Sequence, residues 1–241
     1  VTHADIWLGD SIELVKKFKP DTIQSVITDP PFGVDNLSNM AVTEQGKEYA
    51  TKILNDENPE VAWDIFQQVM TNLMPALKAE SDIYIFTAHQ VLEEWLVWTR
   101  QFFEPFGFTR KAILVWQKDG PGMGDLQTWG MGCEFILYYK RGSRDRTDTR
   151  RNNVLSFPQI RPGQLIHPHE KPEPLIDLLV KHSTSAGDWI VDPFVGSGAV
   201  VRSARKNGRN SVGMELDPVR YERAIKKLNG GEGAGMDFGD Y

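Results

Sequence analysis

The sequence predicts an α/β fold: a mostly parallel sheet with helices on both faces. Three observations carry the prediction. Runs of β-branched and apolar residues alternate with segments of helical spacing along most of the chain. A glycine turn, "VDPFVGSGAV" at 191–200, lies between one such strand and one such helix. The length of 241 residues, 40% hydrophobic and 25% charged, suits one large α/β domain or two small ones, with a core to bury.

The elements follow in order. "DIWL" (5–8) is a short strand ended by Gly9-Asp10. "SIELVKKF" (11–18) has helical spacing, with Ser11 as N-cap. "TIQSVITD" (22–29) is a strong strand, and the polar stretch 33–59 is a long mobile loop. Residues 59–80 form a helix with Pro59 in its first turn, kinked or ended by Pro75. Strands follow at 82–88, 109–118 and 133–140, with a helix at 90–106 between the first two. Residues 141–173 are rich in arginine, asparagine and proline and show no clear periodic element. Order returns with a helix at 173–184, a strand at 188–192 and a helix at 199–208 ending on Gly208. A strand at 209–216 leads to a helix at 217–228, capped by Asp217 with Pro218 at its first position. The tail 229–241 has a disordered composition.

Composition narrows the class. A net charge of −6 argues against a surface coated in basic charge, although a local basic patch on an acidic body stays possible. The single cysteine, Cys133, allows no internal disulfide and no cysteine metal cluster, and fits a reducing cytoplasm. No apolar run is long enough to span a bilayer, and the start lacks the pattern of a secretory signal. His167 and His169 have no cysteine or acidic partner at ligand spacing except Glu170, and a proline separates the pair, so no metal is expected.

"VITDPPFGV" (26–34) ends a strand abruptly. Pro30 and Pro31 have no N–H to give a sheet, and each disfavours helix in the residue before it. The stiff corner presents Asp29 and Phe32, as a site for a planar group would. In the second stretch, the glycines let the backbone pass close to a ligand at a helix start. Glu215, at the end of the next strand, can accept two ribose hydroxyls. Gly196-Ser197-Gly198 is followed by no third glycine, so a nucleoside without a pyrophosphate fits better than NAD.

"DPPF" (29–32) together with "FVGSG" (194–198) resembles the amino-methylating DNA methyltransferases that use S-adenosylmethionine. "HPHEKPEPLIDLLVKHSTSAGDWIVDPFVGSG" (167–198) and "LGDSIELVKKF" (8–18) extend the resemblance, in the permuted motif order of the beta class. It implies a Rossmann-like methyltransferase fold, seven-stranded and mostly parallel with one antiparallel strand, which matches the strands counted above. One domain over 1–228 is expected, with a short target-recognition insertion at 141–166. Asp29 and Asp192 should sit on adjacent central strands.

The resemblance also implies roles. S-adenosylmethionine is the cofactor and double-stranded DNA the partner; a homodimer is left open. Asp10 and Phe194 would lie near the cofactor's adenine, and Glu215 would hold its ribose. Gly196, Ser197 and Gly198 would pass beneath the methionine part, with Lys171 near its carboxylate, and Asp192 is counted among the cofactor-binding residues. The tetrapeptide then has a chemical reading. An exocyclic base amine is a poor nucleophile, because its lone pair is delocalised into the ring. The Asp29 carboxylate and the Pro30 carbonyl can accept its two hydrogens, Pro31 stiffens the corner, and Phe32 can stack on a flipped-out base.

Arg141, Arg144, Arg146, Arg150 and Arg151 form a basic patch suited to phosphates and guanine edges, where the beta class carries its target-recognition region. The alternative is a solvated charged loop. Trp129, in the glycine-rich loop, is a second candidate for DNA contact, whereas the other tryptophans read as core. The leading expectation is adenine-N6 methylation. Cytosine-N4 methylation uses the same amine chemistry, but its enzymes usually carry serine where Asp29 stands. A catalytically silent nucleic-acid-binding module would have no need of an intact "DPPF". A bacterial or phage cytoplasm fits the family; a restriction partner, a phage genome and a cell-cycle role are all compatible.

Overall fold

The computed structural model describes residues 2–34, 58–120, 129–144, 150–160 and 170–230. Its strands are β1 (Ala4–Leu8), β2 (Ile23–Thr28), β3 (Leu77–Thr87), β4 (Thr109–Gln117), β5 (Cys133–Arg141), β6 (Val154–Ser156), β7 (Trp189–Asp192) and β8 (Asn210–Glu215). Its helices are α1 (Ser11–Leu14), α2 (Pro59–Leu73), α3 (Leu92–Phe103), α4 (Glu173–Ser183), α5 (Ala199–Lys206) and α6 (Pro218–Leu228).

The strands form one eight-stranded sheet in the order β1-β8-β7-β2-β3-β5-β4-β6. Only β5 runs against the others, pairing antiparallel with both β3 and β4. The eighth strand, β6, corrects the expected seven. It pairs with the edge of β4 through Val115↔Val154 to Gln117↔Ser156, inside a stretch that shows no periodicity in the sequence. Three residues are too few to leave an alternating pattern.

Alternation across the pleat feeds two cores. Val26, Ile83 and Ile85 face one side, where Phe66 of α2 and Trp95 of α3 cover them. Ile27, Tyr84 and Phe86 face the other, beneath Leu175 and Leu179 of α4 and Ala204 of α5. A smaller cluster of Ile6, Val195, Val201, Ala224 and Leu228 seats α6. This fold is Rossmann-like, with helices on both faces of the sheet.

Two boundaries differ from expectation. Helix α2 stops at Leu73, Pro75 lies in a 3₁₀ turn, and residues 77–80 begin β3 rather than ending a helix. The polar Lys78-Ala79-Glu80 is held there by partners distant in sequence: the Gln24 amide donates to the Glu80 carbonyl at 2.6 Å, and the Arg141 guanidinium donates to the Leu77 and Lys78 carbonyls. At α1 the cap is Asp10, whose carboxylate accepts from the Ile12 N–H at 2.9 Å. Ser11, expected as the cap, instead donates its hydroxyl to the Pro193 carbonyl at 2.5 Å. At α6, Asp217 accepts from Val219 and Arg220 N–H, and Pro218 opens the helix, as the sequence predicts.

The chain passes from β2 to β3 on one side and from β7 to β8 on the other, so the order reverses between β2 and β7. Open α/β sheets hold their ligands outside the strands' carboxyl ends at such a point.

Candidate active site

At that point the ends of β2 and β7 are tied together. Thr28 Oγ1 donates to Asp192 Oδ1 at 2.9 Å, and the Phe194 N–H donates to the same oxygen at 3.2 Å. Burial pushes the Asp192 carboxyl up to about 7; Asp29 and Glu215 add to the rise, against the two hydrogen bonds. The glycine turn follows. Val195 N–H donates to the Met214 carbonyl at 2.9 Å, laying the turn across β8. Gly213 permits this approach, since a Cβ there would lie 2.3 Å from Val195 Cγ2. Gly196 and Gly198 take φ of +49° and +78°, and Arg202 braces the turn by donating to the Ser197 carbonyl at 2.5 Å. Glu215 is buried at the end of β8, its Oε1 accepting the Asp217 N–H at 3.0 Å; burial raises its carboxyl above the ordinary range. Gly9 N–H donates to the Glu215 carbonyl at 2.9 Å, which brings Asp10 to the same edge. Asp10, Asp192, Phe194, Gly196, Ser197, Gly198 and Glu215 therefore line one end of the sheet.

The residues fit an adenosyl sulfonium. A Cβ at Gly196 would meet nothing within 4 Å, so the turn faces open space. A buried acid suits paired ribose hydroxyls, and a half-buried Phe194 suits a purine face.

Beside this cradle stands the Asp29–Phe32 corner. Phe32 is half-buried and meets Trp95 edge to face at 5.8 Å. Gly33 takes φ of +77°, and a Cβ there would lie 2.0 Å from the Asn58 carbonyl carbon. The chain thus leaves the corner and re-enters α2 in direct contact with itself.

Lys171 joins this corner to β5. Its buried ammonium lies 2.8 Å from Asp29 Oδ2 and 2.9 Å from Glu134 Oε2, and 5.1 Å from the Phe86 ring centroid. This places it at the Asp29 corner. Burial favours the neutral amine, but the two carboxylates outweigh it and raise the Lys171 pKa. Glu134 carries a second ammonium, Lys118 Nζ, at 2.7 Å from Oε1. Burial would raise Glu134; the two lysines overcome it and hold the carboxyl at about 2. Sequence reasoning missed Glu134 and Lys118. The available signal was a charged residue inside the apolar strand "CEFILYY", which needs a partner. The preceding residue, Glu170, turns the other way, onto Arg202 at 3.1 Å and Lys227. Consecutive side chains thus reach the brace of the glycine turn and the Asp29 corner.

The arginines do not gather here. Because β5 is antiparallel, Arg141 pairs with Ser81 at the amino edge of the sheet, while Phe135 pairs with Thr87 at the carboxyl edge. Besides its two carbonyls, the Arg141 guanidinium covers the Phe108 ring at 4.7 Å. Arg144 donates to Asp188 at 3.0 Å and Ser185 at 2.9 Å, before the start of β7. Both lie opposite the candidate site and are held by the fold. Arg150 and Arg151 are exposed and border a cleft with Leu114, Leu178 and His182. Arg146, His167 and His169 lie outside the described residues, and no cluster that could hold a metal occurs among those described. Trp129 is 88% exposed and lies shortly before β5 begins at the carboxyl edge.

The fold is that of a Rossmann-like methyltransferase, with the glycine turn at the switch point and the Asp29 corner on the adjacent strand. The chain belongs to the DNA methylase family, whose model matches residues 23–227. It is 24% identical over 252 residues to the Type II methyltransferase M2.LlaDCHI of Lactococcus lactis subsp. cremoris, covering 95% of this chain and 90% of that protein. It is 22% identical over 255 residues to the DNA adenine methyltransferase YhdJ of Escherichia coli K12, covering 92% and 81%. The M1.HpyAVI–SAM complex shares the fold at a TM-score of 0.66 and 19% identity, over 93% of this chain and 98% of that one. The PvuII cytosine-N4-specific DNA methyltransferase does so at 0.67 and 16%, over 95% and 94%.

Proposed function

We propose that the protein transfers a methyl group from S-adenosylmethionine to adenine N6 of a base flipped out of double-stranded DNA. The observation that carries this is the contact between β2 and β7, which sets the Asp29 corner directly beside the glycine cradle. Glu215 would hold the cofactor's ribose, Phe194 and Asp10 would flank its adenine, and the Gly196–Gly198 turn would pass beneath its methionine part. Bound there, the cofactor supplies an electrophilic methyl group on a sulfonium.

The protein's own part is positioning. The Asp29 carboxylate and the Pro30 carbonyl accept the hydrogens of the base amine and turn its lone pair outward. Phe32, fixed by the Trp95 edge, offers a ring to the base. The carboxylate at position 29 and the adenine enzyme among the relatives favour adenine over cytosine. The single cysteine and the bacterial relatives support a cytoplasmic setting; no helix among the described residues is long and apolar enough to cross a membrane.

Incubation with unmethylated genomic DNA and cofactor, then digestion to nucleosides and mass spectrometry, tests the reading. N6-methyladenine is expected. N4-methylcytosine would overturn the base assignment, and absence of any methylated base would overturn the activity.

A further inference from the structure

We infer that Glu134 is a positioning residue for methyl transfer: it shares the Lys171 ammonium with Asp29 and so sets how the Asp29 carboxylate meets the substrate amine. The inference rests on the function proposed above.

The geometry is specific. Lys171 Nζ stands nearly equidistant from Asp29 Oδ2 at 2.8 Å and Glu134 Oε2 at 2.9 Å. The Phe86 ring, 5.1 Å from the ammonium, bounds it from the sheet. Lys118, 2.7 Å from the other oxygen of Glu134, keeps that carboxylate charged and in place. The four charged groups, two acids and two bases, balance within a largely buried site. A buried ammonium cannot stand alone, because its desolvation must be offset by partners.

The balance matters for the reaction. Asp29 must accept a hydrogen from the base amine while Lys171 donates to the same carboxylate. A lysine with no second carboxylate would give its full charge to Asp29 and compete with the amine for it. Glu134 divides that charge. It also anchors the ammonium from β5, so the direction of the Asp29 carboxylate is referred to a second strand of the same sheet.

The test compares Glu134→Gln and Glu134→Asp with the unaltered protein, measuring kcat, KM for DNA, cofactor affinity and thermal midpoint. Glu134→Gln is expected to lower kcat by about ten- to a hundredfold, the scale of a misplaced catalytic group. KM for DNA and cofactor affinity should stay within about twofold, and Glu134→Asp should recover part of kcat. An unchanged kcat in Glu134→Gln would overturn the inference. So would a fall in cofactor affinity and thermal midpoint that parallels the fall in kcat, or an aspartate variant no better than the glutamine one. If the unaltered protein methylates no DNA, the proposed function itself fails, and the inference with it.

Discussion

The hydroxyl of Thr28 and the carboxylate of Asp192, 164 positions apart in sequence, meet at 2.9 Å and join the end of β2 to the end of β7. The bond exists because two parallel strands end side by side at the point where the sheet changes direction. It holds a buried acid whose carboxyl is pushed up to about 7, chiefly by burial.

That acid has a consequence for stability against pH. A raised carboxyl pKa means that the folded form binds more protons than the unfolded chain between about 4 and about 7. The contribution is fully present below about 4 and is lost as pH rises through about 7. Asp192→Asn keeps an oxygen for Thr28 and Phe194 but does not titrate. Urea unfolding from pH 4 to 8 should show the variant gaining on the unaltered protein by a few kcal/mol as pH rises. A constant difference would mean that Asp192 does not titrate in this window.

Asp29→Ala should lower methyl transfer by at least about a hundredfold, because one acceptor for the amine is removed. Cofactor affinity should hold, since Asp29 lies in the corner beside the cradle and not in it. Single-turnover transfer and calorimetry with cofactor separate the two. Normal transfer would remove the carboxylate from the mechanism.

Glu215→Ala should act on the cofactor instead. Loss of a buried acceptor for two hydroxyls costs on the order of 2 kcal/mol, or roughly thirtyfold in affinity. The substitution also removes an acceptor for the Asp217 N–H, so the thermal midpoint should fall slightly. Equal affinity in calorimetry would exclude Glu215 from ribose binding.

Gly213→Ala tests the cradle without touching a charged group. The added methyl would start 2.3 Å from Val195, so β8 and the glycine turn must part. The expected cost is roughly 1–3 kcal/mol in folding, with weaker cofactor binding. Unchanged values for both would show that the turn can shift freely.

The arginines should divide into two groups. Arg144→Ser should cost on the order of 1 kcal/mol in stability, through the partly buried pair with Asp188, and leave the salt dependence of DNA affinity unchanged. Replacing both Arg150 and Arg151 with serine should flatten that dependence by roughly 0.9 for each DNA phosphate that is no longer neutralised. Titrations of labelled duplex at several salt concentrations read both. A flatter slope for Arg144→Ser would place DNA against the amino edge of the sheet.

What the sequence revealed was local. Asp29, Asp192 and Glu215 each stand at the end of an apolar strand, and a proline directly after Asp29 and Asp192, or three residues after Glu215, marks where the strand stops. What it concealed depends on pairing. Glu134 reaches Lys171 only because β5 runs backwards, which brings its first residues to the carboxyl edge. The same reversal carries Arg141 and Arg144 away from the site, against the expectation from their position in the chain. Leu77–Glu80 reads as helical in the sequence because the groups that hold it extended, Gln24, Arg141, Ser143 and Asp188, are all distant in sequence.

The close approach of Gly33 to Asn58 has an evolutionary reading. The chain departs from the reaction corner and returns to the same spot, so closure is fixed by the scaffold whatever the intervening stretch contains. Lengthening a stretch closed in this way costs little, since closure entropy grows only slowly with length. Strand β2 and helix α2 would keep their register through such changes. The Asp29 corner and the start of α2 thus keep one fixed spacing, which change elsewhere in the chain need not disturb.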